Sequence, residues 1–330
     1  MIRYLLKRVA QAVAVLFAIT ATAFGLFHAA PADPALVACG PRCTSAQLTA
    51  VRTSMGLDRP IVSQFTDYVG GIVAGRTIAD VDGTPIPCPA PCLGYSYTLH
   101  QPVLTAIEDR LPVTVSIAVG ALAVILVLGV GSGLAAALRR GRATDRLLSG
   151  FNLLGASVQI SFLGYVVLFL LVYSTGLLPP PRYVSFADRP GQWALGMILP
   201  WLVLGFVNAA VYARLTRSQM LETMHHGYVR TARAKGLGTL RTHLRYTARG
   251  AAGPLVQLLG LEVGALLGGA FITETVFGLG GVGKLAVDAV TGNDLPTVVG
   301  TVLVAAFFVV VFVAVADLVV AWLDPRVRLA

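Results

Sequence analysis

The sequence predicts an all-α membrane protein with six transmembrane helices, both termini cytoplasmic, and an extracytoplasmic segment between the first two helices. Three observations carry that expectation. Of 330 residues, 56% are hydrophobic and 12% charged, with a mean hydropathy of +0.76; an ordinary globular domain has about 25% charged residues. Five stretches (9–32, 111–138, 147–181, 190–213 and 295–316) contain no Asp, Glu, Lys or Arg, and a sixth, 254–276, is interrupted only by Glu262 and Glu274. Each is long enough for the roughly 20 apolar residues that cross a bilayer. Most of the 25 cations lie at the N-terminus (Arg3, Lys7, Arg8), after the second span (Arg139, Arg140, Arg142, Arg146), in the run 214–254 and in the tail (Arg326, Arg328). An even number of spans puts all four regions on one side, and positive loops stay inside. The net charge of +9 is thus an orientation signal. A lipid bilayer is the expected surroundings, with no nucleic acid partner.

Residues 1–32 form the first span. Its apolar run exceeds the roughly 7 to 15 residues of a cleaved signal's core, so it reads as an uncleaved helix. Residues 33–110 form the extracytoplasmic segment. Within it 45–55 reads as a short helix capped by Ser45. Residues 61–73 read as an amphipathic helix with Ile61, Phe65, Tyr68, Val69 and Ile72 on one face. All four cysteines lie here: Cys39, Cys43, Cys88 and Cys92. Outside the cytoplasm an even count points to disulfides that staple an external cap containing the Pro-bearing stretch 80–92. Three pairings are open, and a four-thiolate zinc site is the other reading of the same residues.

Residues 111–330 hold the remaining five spans. Gly120, Gly129, Gly131 and Gly133 in the second span suit close helix packing. Gln159 in the third, Asn208 in the fourth and Glu262 in the fifth are the possible pore-lining residues, with hydrogen bonding between helices as the alternative. A carboxylate in hydrocarbon costs a few kcal/mol, so Glu262 faces the bundle interior or water. There it meets a substrate ammonium group or fixes packing. Glu274 falls near the outer end of its span.

Gly278-Leu279-Gly280-Gly281-Val282-Gly283-Lys284-Leu285 fits the first seven places of a phosphate-binding loop and fails the eighth. Leu285 has no hydroxyl for magnesium, and the flanks are membrane spans in place of a strand. His225 and His226 read as solvated. No catalytic residues, metal ligands or cofactor site are expected in this chain.

The run 214–254 is the longest polar stretch between two spans. Arg214, Arg217, Arg230, Arg233, Lys235, Arg241, Arg245 and Arg249 stand there against one acid, Glu222. A first short helix covers 228–235 and stops at Gly236-Leu237-Gly238. Thr239 then caps a second one, with Leu240, Leu244 and Ala248 on one face and Arg241, Arg245 and Arg249 beside it. Small residues on the first helix let a partner's backbone come close.

Arg230-Thr231-Ala232-Arg233-Ala234-Lys235-Gly236-Leu237 resembles the cytoplasmic docking loop of ABC-importer permeases of the dipeptide/oligopeptide family. The Glu-Ala-Ala of the wider superfamily is Arg230-Thr231-Ala232 here. Arg3-Tyr4-Leu5-Leu6-Lys7-Arg8, Pro31-Ala32-Asp33-Pro34, Gly56-Leu57-Asp58-Arg59-Pro60 and Asp324-Pro325-Arg326-Val327-Arg328 extend the resemblance along the chain, to the B-type subunit. The resemblance implies half of a translocation pore for di- and oligopeptides, or for another small solute such as a nickel chelate or haem. It also implies a second homologous permease, two ATPase subunits carrying ATP and magnesium, and an extracytoplasmic substrate-binding protein. Arg230 to Gly236 would then be the ATPase-docking residues. A secondary transporter and a membrane scaffold are the other classes, without an ATPase partner.

Overall fold

A computed structural model describes residues 2–29, 34–39, 43–54, 57–79 and 84–323. The Pro31-Ala32-Asp33 turn and the Asp324–Arg328 tail lie outside the described residues. Among the described residues five helices are long and apolar enough to cross a membrane: Arg8–Gly25 within α1 (Ile2–Ala29), Val103–Leu138, Pro190–Met224, Arg245–Leu267 and Leu295–Leu323. A sixth crossing exists if the pair Ala143–Ser157 and Ile160–Ser174 counts as one.

That pair corrects the sequence reading, because residues 147–181 do not form one straight helix. The two pieces meet at 96°. Val158 and Gln159 both adopt extended backbone, which breaks the i to i−4 ladder. Gly176 takes φ +61° just before Pro179, Pro180 and Pro181, so the helix cannot resume.

Two further boundaries move for equally local reasons. The fourth span continues to Met224, because no glycine or proline occurs from Phe206 to His226. The second basic helix is not separate either. Thr239–Thr242, a π turn at His243–Thr247 and Ala248–Leu267 follow without a break. That run ends at Gly268 and Gly269, the latter at φ +120°. Glu274 therefore sits on its own short helix, Phe271–Val276, and is fully buried.

The described chain is not all-α. Arg76–Ala79 pairs antiparallel with Pro85–Cys88 in the register Arg76↔Cys88, Thr77↔Pro87, Ile78↔Ile86, Ala79↔Pro85. Tyr95–Ser96 pairs with Gln101–Pro102. Prolines 85 and 87 suit the edge of a two-stranded ribbon, where no further ladder needs their missing N–H. The disulfides close locally as Cys39–Cys43 and Cys88–Cys92, each four residues apart. Neither joins distant parts of the chain, so the expected stapling of the segment gives way to two tight local loops. On a chain-entropy estimate, each contributes about 2 kcal/mol at most.

The chain divides into two compact units, Val115–Leu279 with Phe308–Ala330, and Ile2–Thr114 with Gly280–Phe307. In the second, Ile61–Ala74 forms as expected and buries Tyr68 with Leu93, Val103, Ile107, Leu285 and Val299. Ile61 departs from the expected inner face and is exposed. Phe24 of α1 packs on Phe65 with ring centroids 5.3 Å apart. Asp294 precedes the helix Leu295–Leu323 and is buried. Its Oδ2 accepts from Ser96 Oγ, from Thr98 Oγ1 at 2.7 Å and from Thr297 Oγ1 at 2.8 Å. Asp294→Ala removes a helix cap and the acceptor these three hydroxyls share, leaving Ser96 and Thr98 each other at 3.1 Å, so it is expected to cost about 3 kcal/mol. Thermal denaturation in detergent measures this, and Asp294→Asn is expected to recover about half.

In the first unit, glycines set how closely helices approach. A methyl group on Gly133 would stand 2.5 Å from the Ala213 carbonyl oxygen, and one on Gly129 would stand 2.9 Å from that of Ala209. Gly120 faces the Trp201 ring, whose Nε1 donates to Ser116 O at 2.8 Å. Gly131 has open space around it and is not part of this contact. Gly260 and Gly264, four apart, abut Phe312 and Val309 of the last long helix.

Candidate coupling site and interior polar pair

The long helix ends as the Glu222 and Thr223 carbonyls accept from the N–H groups of His225 and His226. The short helix Gly227–Ala234 then runs to Gly236, whose φ of +78° suits glycine. Leu237 N–H reaches back to Ala232 O at 3.4 Å, the 6→1 bond that closes a helix with a left-handed residue. The predicted stop is therefore where the sequence puts it.

The short helix has two faces. Val229 and Ala232 are buried, at 0% and 5% exposure, so Ala232 uses its smallness against this chain's own interior. Arg230, Thr231, Ala234, Lys235 and Gly236 are exposed. The Arg233 side chain lies outside the described residues. Of the predicted docking residues Ala232 is thus turned inward, and the five exposed positions are open to a partner. Gly236 has no neighbouring atom within 4 Å of a methyl group placed on it. Tyr228 stacks on His226 with centroids 5.6 Å apart, and both histidines are exposed as expected.

The end of the long helix packs into an apolar base. Met220, Ala251 and Ala137 are buried together, with Leu134, Leu221, Met224 and Ala248 around them. Arg217 adds a fork: its Nε donates to Asp145 Oδ1 at 2.8 Å and its Nη2 to Oδ2 at 3.0 Å. Asp145 also accepts from Gly141 N–H at 3.0 Å. A bidentate guanidinium–carboxylate pair fixes geometry as well as charge. It ties the turn after Leu138 and the first turn of Ala143–Ser157 to the long helix. Sequence reasoning missed this pair. The available signal was Asp145 itself, a lone acid among Arg139, Arg140, Arg142 and Arg146.

Two of the three possible pore residues meet. Asn208 Nδ2 donates to Glu262 Oε1 at 3.1 Å, linking Pro190–Met224 to Ala248–Leu267. Both are half-buried. Gln159 is exposed at the 96° break and takes no part in that bond. The glycine-rich segment before Lys284 follows the helix Phe271–Val276 in place of a strand. Lys284 Nζ pairs with Asp288 at 2.8 Å within the helix Val282–Thr291. Among the described residues no group of three or more His, Cys, Asp or Glu could hold a metal ion.

Comparison with known proteins sets this geometry in a family. Residues 129–329 match the model described as "Binding-protein-dependent transport system inner membrane component", and residues 1–118 match its N-terminal companion. A putative peptide transport system permease protein of Brucella abortus is 34% identical over 324 residues, 98% of each chain. This chain belongs to the binding-protein-dependent transport system inner membrane component family. The di/tripeptide transport system permease DppB of Pseudomonas aeruginosa and the dipeptide transport system permease DppB of Escherichia coli K12 are each 31% identical, covering 99% of both chains. Among solved structures, a chain of the inward-facing MetNI methionine ABC transporter is similar, with TM-score 0.50 and 17% identity over 67% of this chain and 97% of that one. That likeness shows the fold alone. The protein is thus a multi-pass inner-membrane permease subunit of an importer.

Proposed function

We propose that this permease forms half of the translocation pore of an ATP-driven importer of di- and oligopeptides. Similarity over the full chain to permeases named for peptide transport carries the reading. Its partners are a second permease of similar fold, two cytoplasmic ATPases holding ATP and magnesium, and an extracytoplasmic binding protein. In this reading the bent pair counts as one span, giving six crossings, and the arginine-rich ends support both termini and the ledge at Arg230–Gly236 being cytoplasmic.

Coupling then follows from rigidity. The ATPase groove grips the exposed face of the short helix. Its buried face, the Met220 base and the Asp145–Arg217 fork pass the displacement to the long helices as a rigid body. ATP biases the two access states only by binding one of them better. Co-purification from native membranes, followed by peptide uptake into proteoliposomes, tests this. A second permease and ATPases recovered with peptide uptake support it; a lone chain after crosslinking contradicts it.

Glu262 is the proposed contact for a peptide's ammonium group, oriented by Asn208. Glu262→Gln is expected to lower uptake of free-amine dipeptides about tenfold, one charge-assisted hydrogen bond's worth, and to leave N-acetylated peptides unchanged. Equal loss for both would assign the residue to packing.

A further inference from the structure

The coupling scheme leaves one cavity without a role. It has a volume of about 580 Å³ and lies within the unit of Ile2–Thr114 and Gly280–Phe307. Tyr68, Tyr95 and Tyr97 give it aromatic walls, and Arg76 lies among them. The arginine side chain passes over Gly71, where a methyl group would stand 2.7 Å from its Cδ. Glycine is what lets it lie there. The guanidinium then sits 5.1 Å over the Tyr68 ring.

Its hydrogen-bonding capacity is not used up. Arg76 Nε is buried and has no hydrogen-bond partner. Among the described residues no carboxylate pairs with it, because Asp67 bonds Arg59 at 3.3 Å. Burial draws the Arg76 guanidinium below its ordinary value, and it still stays charged. Burial also pushes Tyr68 up to about 12, so the ring beneath it is neutral.

We infer that this cavity binds a short peptide by its free carboxylate, with Arg76 taking the acid and the tyrosines taking a side chain. A planar cation that no acid among the described residues pairs with, set among aromatic faces, suits a carboxylate beside an apolar group. The volume falls within the roughly 300–1,000 Å³ of small-ligand pockets. Asp67, which also lines the cavity, has lone pairs beyond its bond to Arg59 at 3.3 Å and can accept from the ammonium end. That pairing of charges favours a zwitterion over an acidic side chain of a protein partner. The inference rests on the peptide-importer reading and adds to it a peptide site outside the pore.

The test is equilibrium binding of alanyl-phenylalanine and of its C-terminal amide to the full chain in lipid nanodiscs. The free acid is expected to bind, and the amide to bind at least about tenfold more weakly. Arg76→Gln should reproduce that loss for the acid, and Arg76→Lys should fall between. If Arg76→Gln does not fold, the acid-to-amide ratio on the unmodified chain still decides. Equal binding of acid and amide, or no binding of either, overturns the inference. So does an Arg76→Gln defect confined to capture of the binding protein, since the carboxylate would then be that protein's. Failure of the importer reading shows separately, as absence of peptide uptake by the assembled wild-type complex.

Discussion

Gly236→Trp is expected to leave the importer assembled and hydrolysing ATP while peptide uptake falls at least tenfold, to about a tenth or less. Gly236 is exposed, and a methyl group placed on it has no atom of this chain within 4 Å. Two effects remain. A bulky residue at φ +78° strains the backbone by about 1–2 kcal/mol, and its ring covers the face offered to the ATPase. Gly236→Asn separates them, since asparagine tolerates the left-handed conformation and is small. Asn is expected to keep at least about half of the uptake. Uptake and ATP hydrolysis measured on the same proteoliposomes check both variants. Normal transport by the Trp variant would remove the ledge from the coupling path.

Gly264→Leu is expected to abolish most of the folded protein. A methyl group there would stand 2.5 Å from Val309 Cα and 2.9 Å from Val309 N, so the obstacle is backbone that no rotamer change relieves. A methyl group on Gly260, one turn earlier, would stand 2.7 Å from the Phe312 carbonyl oxygen. Separating two helices held this closely costs at least about 3 kcal/mol, a large share of a membrane protein's margin. Gly131→Leu is the control. It is exposed with open space around it, and within ±0.5 kcal/mol, roughly, no change is expected. The measurement is the monodisperse fraction that survives heating in detergent, with the unmodified chain alongside.

What the sequence made legible follows from how local each signal is. Charge-free runs, the Gly236 stop and the amphipathic stretch at Ile61–Ala74 depend on neighbours along the chain; the structure bears out the last two and the helical character of the runs, with 147–181 broken at 96° and 254–276 interrupted after Leu267. The break at Val158–Gln159 carries no glycine or proline, so composition gives no warning of it. Ala232 and Ala234 look alike in sequence, yet the helix turn buries one and exposes the other. The Gly260–Gly264 spacing was visible as a small-xxx-small pattern, but it was masked by Glu262 between them. The Asp145–Arg217 fork and the Asn208–Glu262 bond join residues far apart in the chain, and only the fold brings them together. The Arg76–Cys88 hairpin contains Pro85 and Pro87, which argue against a strand until the partner strand is seen.

The central claim is that the exposed face of Gly227–Ala234 seats in an ATPase subunit. The most direct measurement places a photo-crosslinking residue at Ala234, which is exposed, or at Ala232, which is buried, in native membranes. The account predicts that Ala234 crosslinks to an ATP-binding protein, with a yield that changes when ATP is trapped, while Ala232 crosslinks only within this chain. Crosslinks from Ala234 to lipid alone, or none to any ATP-binding protein, would contradict it.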